Sequence, residues 1–416
     1  MQPKDQSPAL ARVARGDLCA GCGACAALAP GKVTIAVEAP GYLRPVQSAL
    51  LDPAEEAAIS RVCPGLGVRV DPAAGRSDPV LWGPYVSMQT GWATDDGLRF
   101  AGSSGGALSA ILVHLLESGM VDAVLQTAAS SDLAIGNETV VSQDAAAVRV
   151  AAGSRYAPSA PLEDLPLHLA SGRRFAFVGK PCDAVALRAM AKADPKVAAA
   201  FPVILSFFCA GVPSQAGGEE VLKALGVDPA EVAAFRYRGM GWPGRATATL
   251  KDGSERSMSY HDSWGMILNR HVQLRCKICP DGVGMTADIV CADAWESDDK
   301  GYPRFAEAPG VSLILARTSL GAQILSDAAA AGHLQATAFD PGALEAMQPG
   351  QCFRRRSVYA RLLALRLAGR PVPYYQGMQL RAAALQNPLR KNLKNFLGML
   401  RRLRNRPVQR RTGAPS

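Results

Sequence analysis

The sequence predicts an α/β protein in three parts, and three observations carry that prediction. A loop with three closely spaced cysteines opens the chain, an apolar strand–helix–strand run occupies residues 174–208, and a basic helical C-terminal tail closes it. The expected boundaries are 1–84 for a loop-rich cysteine segment, 85–345 for the α/β body and 346–416 for the tail. A chain of 416 residues, 48% hydrophobic and 19% charged, has enough apolar material for two or three such units. No run of about 18 apolar residues argues for a membrane-spanning helix, and Met1–Ala11 lacks a signal-type apolar core. Ten cysteines, five of them in Cys-x2-Cys units, point to metal binding in a reducing, cytoplasmic setting rather than to disulfides.

The first part is organised around Leu18-Cys-Ala-Gly-Cys-Gly-Ala-Cys25. Cys19, Cys22 and Cys25 have the two-residue spacing with which ferredoxins wrap a loop round one 4Fe–4S cluster. Gly21 and Gly23 allow the tight, partly left-handed backbone this requires. Where a two-cluster ferredoxin places a further Cys-Pro, this chain has Ala29-Pro30. The nearest fourth ligand is Cys63, in Arg61-Val-Cys-Pro-Gly65, so the segment is expected to serve a single cluster. The alternative is a zinc knuckle, which favours paired Cys-x2-4-Cys units.

In the body, residues 86–94 alternate like a strand, Ala107–Glu117 read as a buried helix, and Val121–Gln126 as a second strand. The loop feeding that helix, Phe100-Ala-Gly-Ser-Ser-Gly-Gly106, suits a phosphate at a helix N-terminus, although a plain N-cap at Ser103 or Ser104 has the same appearance. Arg174–Val178 is an apolar strand, Gly179-Lys-Pro-Cys182 a turn, and Asp183 the expected cap of a helix reaching about Ala191. Pro202–Phe208 completes a parallel βαβ unit, which puts Cys182 and Cys209 at the carboxyl ends of neighbouring strands, where ligands collect. Arg275-Cys-Lys-Ile-Cys-Pro280 adds a second Cys-x2-Cys, so Cys182, Cys209, Cys276 and Cys279 form a candidate second four-thiolate site. A cluster is favoured there over zinc because a cluster loop already stands at the N-terminus. Cys291 reads as a core thiol and Cys352 as a non-ligand.

Seven segments in order resemble the coenzyme F420 hydrogenase/dehydrogenase beta-subunit family. They are the cysteine loop, Gly102-Ser-Ser-Gly-Gly106, Gly153-Ser-Arg-Tyr156, Gly179-Lys-Pro-Cys182, Phe208-Cys-Ala-Gly-Val-Pro-Ser214, Tyr237-Arg-Gly-Met-Gly-Trp-Pro-Gly244 and Cys276-Lys-Ile-Cys-Pro-Asp281. Relatives include 7-hydroxymethyl chlorophyll a reductases and ferredoxin-dependent divinyl chlorophyllide reductases. The resemblance, over residues 16–320, implies an oxidoreductase with a ferredoxin-like iron–sulfur segment and a flavin-binding body, carrying FAD and one or two 4Fe–4S clusters. It implies that Ser103, Ser104, Gly105 and Gly106 hold FAD, with Ser154, Arg155 and Tyr156 nearby. Lys180 is the candidate catalytic residue, since a cation beside a flavin favours its reduced anion; the family has Thr at that place. Electrons would pass from a ferredoxin-like carrier to an organic or deazaflavin substrate. The competing readings are a non-catalytic electron-transfer subunit and a zinc-stabilised binding protein. The last hundred residues differ from the chlorophyll-reducing relatives, which argues against a tetrapyrrole substrate.

The tail concentrates the charge. From Ala346 to Ser416 there are sixteen Lys and Arg and no Asp or Glu; the remaining 29 basic against 36 acidic residues leave the rest of the chain at −7. Residues 350–372 form one basic helical pattern and residues 387–404 another, with Leu389, Leu393, Phe396, Leu397, Leu400 and Leu403 at helical spacing. Such a helix over 385–416 suits an anionic membrane surface on the cytoplasmic side, an acidic electron carrier, or simple packing on the body. Nucleic acid is disfavoured, because no Tyr or Trp follows Tyr375 to stack on bases.

Overall fold

In the computed structural model, which describes residues 6–71, 76–295 and 306–404, eight strands of the body form one mixed sheet. In chain order they are β1 (Ser87–Ala93), β2 (Ala123–Ala129), β3 (Asn137–Ser142), β4 (Phe175–Val178), β5 (Val203–Phe207), β6 (Ile289–Asp293), β7 (Ser312–Ala316) and β8 (Leu334–Ala338). Their spatial order is β8-β1-β7-β6-β5-β4-β2-β3. The four central strands, β6, β5, β4 and β2, run parallel, and every other pairing in the sheet is antiparallel. Parallel strands must be covered on both faces, so their sequences are apolar throughout; all four residues of β4 are buried.

The period-two alternation of each strand divides the core into two layers. Phe175, Phe177, Ile204, Val290 and Leu313 face one layer, which also contains Leu187 of helix α2 (Pro181–Ala193) together with Cys22, Ala24 and Val62 of the N-terminal segment. Ala176, Val203, Leu205, Ile289 and Ile314 face the other, filled by helix α1 (Ala107–Glu117) and helix α3 (Ser319–Ala330). The apolar helix foreseen at 107–117 is therefore sandwiched as its composition requires. The expected cap of α2 is corrected: Lys180 is the N-cap, and Asp183, at the third helical position, accepts the Lys180 amide at 2.9 Å.

A separate three-stranded antiparallel sheet (Val232–Arg236, Arg245–Leu250, Glu255–Ser259) has its own core around Phe235, Tyr237 and Ala248. In the C-terminal region, helix α4 (Pro349–Leu367) and helix α5 (Leu389–Arg404) pack on the chain instead of standing free. Leu362, Leu365, Met399 and Leu403 share a cluster with Leu18, Leu274 and Ile278, which flank the cysteine loops. Residues 374–376 pair in parallel with residues 67–69, sewing the two ends of the sequence together. No helix among the described residues is long and apolar enough to cross a membrane.

Phe177 is wholly buried and packs edge-on to Phe201 at 6.4 Å. Phe177→Ala should cost about 3–5 kcal/mol of unfolding free energy, read as a lower urea midpoint with an unchanged slope.

Candidate functional site

Two recesses, each ringed by four cysteines, lie side by side. The first is lined by Cys19, Cys22, Cys25 and Cys63, the second by Cys182, Cys209, Cys276 and Cys279, and Ala20 lines both. The structure thus gathers the eight thiols into the two quartets that the spacing suggested. Cys63 arrives at the C-cap of the helix Pro53–Val62. Gly21 and Gly23 have φ of 76° and 86°, and a Cβ on Gly23 would lie 2.6 Å from the Glu163 amide nitrogen, so this loop also needs glycine for close approach. Cys182 and Cys209 stand just past the carboxyl ends of the parallel neighbours β4 and β5.

Both quartets are poor places for free thiolates. Burial, then neighbouring Cys19, pushes Cys63 up to about 11, and burial, then Cys276, pushes Cys209 up to about 12. Cys22 and Cys182 are raised further, by burial first and by Asp183 second, so one carboxylate acts on both quartets. Donors nevertheless point at the sulfurs: the Gly21 amide lies 3.4 Å from Cys19 Sγ, and the Val212 amide 3.4 Å from Cys276 Sγ. A donor set that stays protonated alone and is supplied with N–H groups fits a cationic iron–sulfur core, which binds thiolates and is tuned by hydrogen bonds to sulfur. Among the described residues no three His, Cys, Asp or Glu converge at single-ion spacing; the quartets ring a recess rather than a point.

Buried cations surround the second recess. Arg275 is 2% exposed and donates to the carbonyl of Pro64 at 2.8 Å and to Tyr375 Oη at 3.1 Å, while its Nε has no partner. Arg355 of α4 donates to the carbonyls of Pro280, Val80 and Met378. Gln351 reaches the carbonyl of Cys209 at 3.2 Å, Arg361 that of Lys277 at 2.8 Å, and Arg354 that of Ala210. The basic helical pattern expected over 350–372 is therefore a strap across the second quartet's loops. Lys180 is also buried there: its ammonium lies 2.8 Å from Asp183 and 2.7 Å from Ser159 Oγ, and it donates to the Ser159 carbonyl. Burial opposes the Lys180 charge, but Asp183 and then Cys182 outweigh it, so the group is held protonated.

The glycine loop lies at the N-terminus of α1, with Gly106 as N-cap at φ 70°. Ser103 Oγ accepts the Ser154 amide, Ser104 Oγ donates to the Val311 carbonyl at 2.7 Å, and the Gly105 amide donates to Ser312 Oγ at 3.0 Å. Arg155 turns its guanidinium to Asn137 and to the carbonyls of Phe235, Ala134 and Gly136, stapling the loop to the smaller sheet. Tyr156 packs on Trp264, with ring centroids 4.8 Å apart. The loop after Tyr237 folds onto the same place, for a Cβ on Gly239 would lie 2.7 Å from the Ala101 carbonyl. Sequence reasoning quoted that loop without giving its residues a role. It carries Arg238, 2% exposed, paired with Asp293 at 2.8 Å and enclosed by Trp242, Tyr260 and Trp295, each about 5 Å away. Arg238 Nη2 has no partner. Met240 beside it holds φ 56°, an uncommon conformation for a side chain with a Cβ. Cys291 and Cys352 are buried outside both quartets, each raised to about 12 by burial.

This is an α/β chain with two adjoining cysteine quartets, and comparison places it. The family model for the coenzyme F420 hydrogenase/dehydrogenase beta subunit matches its N-terminal part over residues 88–165 and its C-terminal part over residues 172–342. The chain belongs to this family, whose named members are subunits of oxidoreductase complexes. It is 27% identical over 256 residues to the F420-dependent formate dehydrogenase 1 subunit beta of Methanococcus maripaludis, covering 61% of this chain and 62% of that one. To the corresponding subunit of Methanocaldococcus jannaschii it is 25% identical over 219 residues, covering 52% and 54%. The chain thus spans between half and two thirds of these relatives. The F420-reducing NiFe hydrogenase complex from Methanosarcina barkeri contains a chain of the same fold, with TM-score 0.51 and 20% identity over 68% of this chain and 96% of that one. The first quartet and α4 and α5 lie outside the matched residues.

Raised thiol pKa values set the reactivity of the metal-free protein. Cys63 and Cys209 should be alkylated by iodoacetamide at pH 8 at least a hundredfold more slowly than free cysteine, and accelerate as pH rises toward about 11 and about 12 respectively. Peptide mass spectrometry after timed quenching reads both rates.

Proposed function

We propose that this protein is an iron–sulfur flavoprotein subunit that relays electrons between a one-electron carrier and an organic or deazaflavin substrate such as coenzyme F420. The observation that carries the proposal is the convergence of eight cysteines, spread from Cys19 to Cys279, into two adjoining quartets. Cys19, Cys22, Cys25 and Cys63 would hold one 4Fe–4S cluster, and Cys182, Cys209, Cys276 and Cys279 the other. FAD would lie along Ser103–Gly106 with Ser154, Arg155 and Tyr156. Clusters store single electrons, and a flavin joins single-electron to hydride chemistry.

The chain's own residues divide the work. Arg155 and Gly105, whose polar groups are engaged inside the protein, shape the flavin shelf instead of reaching the ligand. Arg238, with a free Nη2 among three aromatic rings, offers a donor and a cation to a planar, electron-rich ring. Lys180 supplies fixed positive charge beside Cys182 and orders the N-terminus of α2, so its part is electrostatic rather than acid–base. Lys277, Arg354 and Arg361 form a basic surface next to Cys276, suited to steering an acidic carrier such as a ferredoxin. Crowding by burial, then by Arg402 and Arg354, lowers Lys277 to about 8, so that part of the patch loses charge as pH rises past 8. Subunit status in a larger complex is favoured by the relatives' names, and a cytoplasmic location follows from the same reading.

Anaerobically purified protein should contain about eight iron and eight sulfide per chain with one FAD. Cys19→Ser should halve the iron and leave the flavin; a colourless zinc protein without sulfide would overturn the proposal.

The tail carries a second proposal, contact with an anionic membrane. The leucine stripe of α5 is split: Met399 and Leu403 face the body, while Leu389, Leu393 and Leu397 are 84%, 55% and 52% exposed. Arg390, Lys394 and Arg401 border that exposed edge, which is how interfacial helices present themselves to acidic lipid. Residues 405–416 of the tail lie outside the described residues. Full-length protein should sediment with phosphatidylserine vesicles and not with phosphatidylcholine ones, and Leu393→Glu with Leu397→Glu should abolish sedimentation. Unchanged sedimentation, or release of a bound subunit instead, rejects the membrane reading.

A further inference from the structure

We propose that Arg275 is the shared counter-charge of the two cysteine quartets and raises the reduction potential at both. The inference rests on reading each quartet as a cluster site. Arg275 lines the second recess and precedes Cys276 in sequence, yet its Nη2 reaches across to the carbonyl of Pro64, the residue after Cys63. Its other arm donates to Tyr375 Oη, which donates in turn to the carbonyl of Ile278, between Cys276 and Cys279, at 3.1 Å. One guanidinium therefore bonds to the backbone of the first ligand set directly and to that of the second through the Tyr375 hydroxyl.

The charge balance around it is unusual. Among the described residues no carboxylate lies within ion-pairing distance of Arg275, its surroundings are buried, and Nε is left without an acceptor. A buried, unpaired charge is strongly unfavourable unless something anionic answers it. The anionic groups placed to answer it are the quartet sulfurs: Arg275 lines the recess of Cys182, Cys209, Cys276 and Cys279, and its guanidinium reaches the residue that follows Cys63. A four-thiolate cluster carries net negative charge, and more of it when reduced. A fixed cation that faces both sites favours the reduced state at each, by Coulomb attraction in a medium that screens poorly. Because the same cation answers both, it also softens the repulsion that an electron on one site exerts on the next. Arginine suits this position better than lysine geometrically, since its planar fork spans two acceptors in opposite directions. Its role is electrostatic positioning, without contact to substrate.

Two variants separate charge from geometry. Arg275→Gln keeps a donor for the Pro64 carbonyl and removes the charge; Arg275→Lys keeps the charge and loses the fork. Each is made in full-length protein, alone and in Cys19→Ser and Cys209→Ser backgrounds that leave one quartet intact and so assign each signal. Iron and sulfide are counted, and potentials are read by redox titration with electron paramagnetic resonance. Arg275→Gln should shift both potentials negative, and Arg275→Lys should restore most of the shift. A shift confined to the second quartet, no shift, or a lysine variant that behaves like glutamine overturns the proposal. Should Arg275→Gln lose iron, loss from both quartets supports the shared role and loss from one contradicts it. Wild-type protein without iron and sulfide would remove the cluster reading itself, an outcome seen before any variant is titrated.

Discussion

The structure depends on one electrostatic constraint: six of the eight quartet thiols sit where burial resists their ionisation, with cations enclosed beside them. Burial is the largest influence on Cys22, Cys63, Cys182 and Cys209, and it acts toward the neutral thiol in each. Burial also penalises Arg275 and Arg355, whose acceptors are carbonyl oxygens and the Tyr375 hydroxyl rather than carboxylates. Each set is costly alone and each answers the other, because thiolates and guanidinium groups lower one another's desolvation cost only when both are present. On the cluster reading proposed above, a cationic core bound by the thiolates would close that balance and tie folding of this region to loading.

That constraint explains why the C-terminal region wraps back. Loops that hold cysteines around a recess cannot be fixed by apolar packing alone, since they expose carbonyls that need donors. Arg354, Arg355, Arg361 and Gln351, all on α4, supply donors to the carbonyls of residues 209, 210, 276, 277 and 280. Guanidinium groups do this well because several N–H donors leave one planar head. The absence of acidic residues from this stretch then has a local cause: a carboxylate on α4 would compete for the arginines and repel the thiolates.

Much of this was legible in the sequence, for reasons that can be stated. Cysteine spacing is a local property, and a parallel strand pair places its carboxyl ends together, so both quartets could be assembled from Cys-x2-Cys units and the βαβ pattern. The buried helix at 107–117 was legible from composition alone. What stayed hidden were contacts between distant residues made by polar side chains. Arg354 meets Ala210 across 144 positions, and no periodicity announces a carbonyl partner. Arg238 was invisible for a related reason: its aromatic cage gathers Trp242, Tyr260 and Trp295 from three separate segments of the chain. Asp183 was misplaced by three positions in its helix role because Pro181 had already fixed where α2 begins.

The split leucine stripe of α5 follows from the same geometry. A helix whose apolar face is wider than the groove it occupies must leave one edge uncovered. Here the inner edge, with Met399 and Leu403, meets Leu362 and Leu365 of α4, and Arg361 bonds to Asn395 at 3.1 Å across the pair. Since α4 is also the strap over Cys209 and Cys276, the exposed leucines and the second quartet are attached to opposite sides of one rigid helix pair. Any surface that engages α5 is therefore held within one helix layer of the sulfurs, and a change in how α5 packs can reach them through α4 or through the cluster that Met399 and Leu403 share with Leu274 and Ile278.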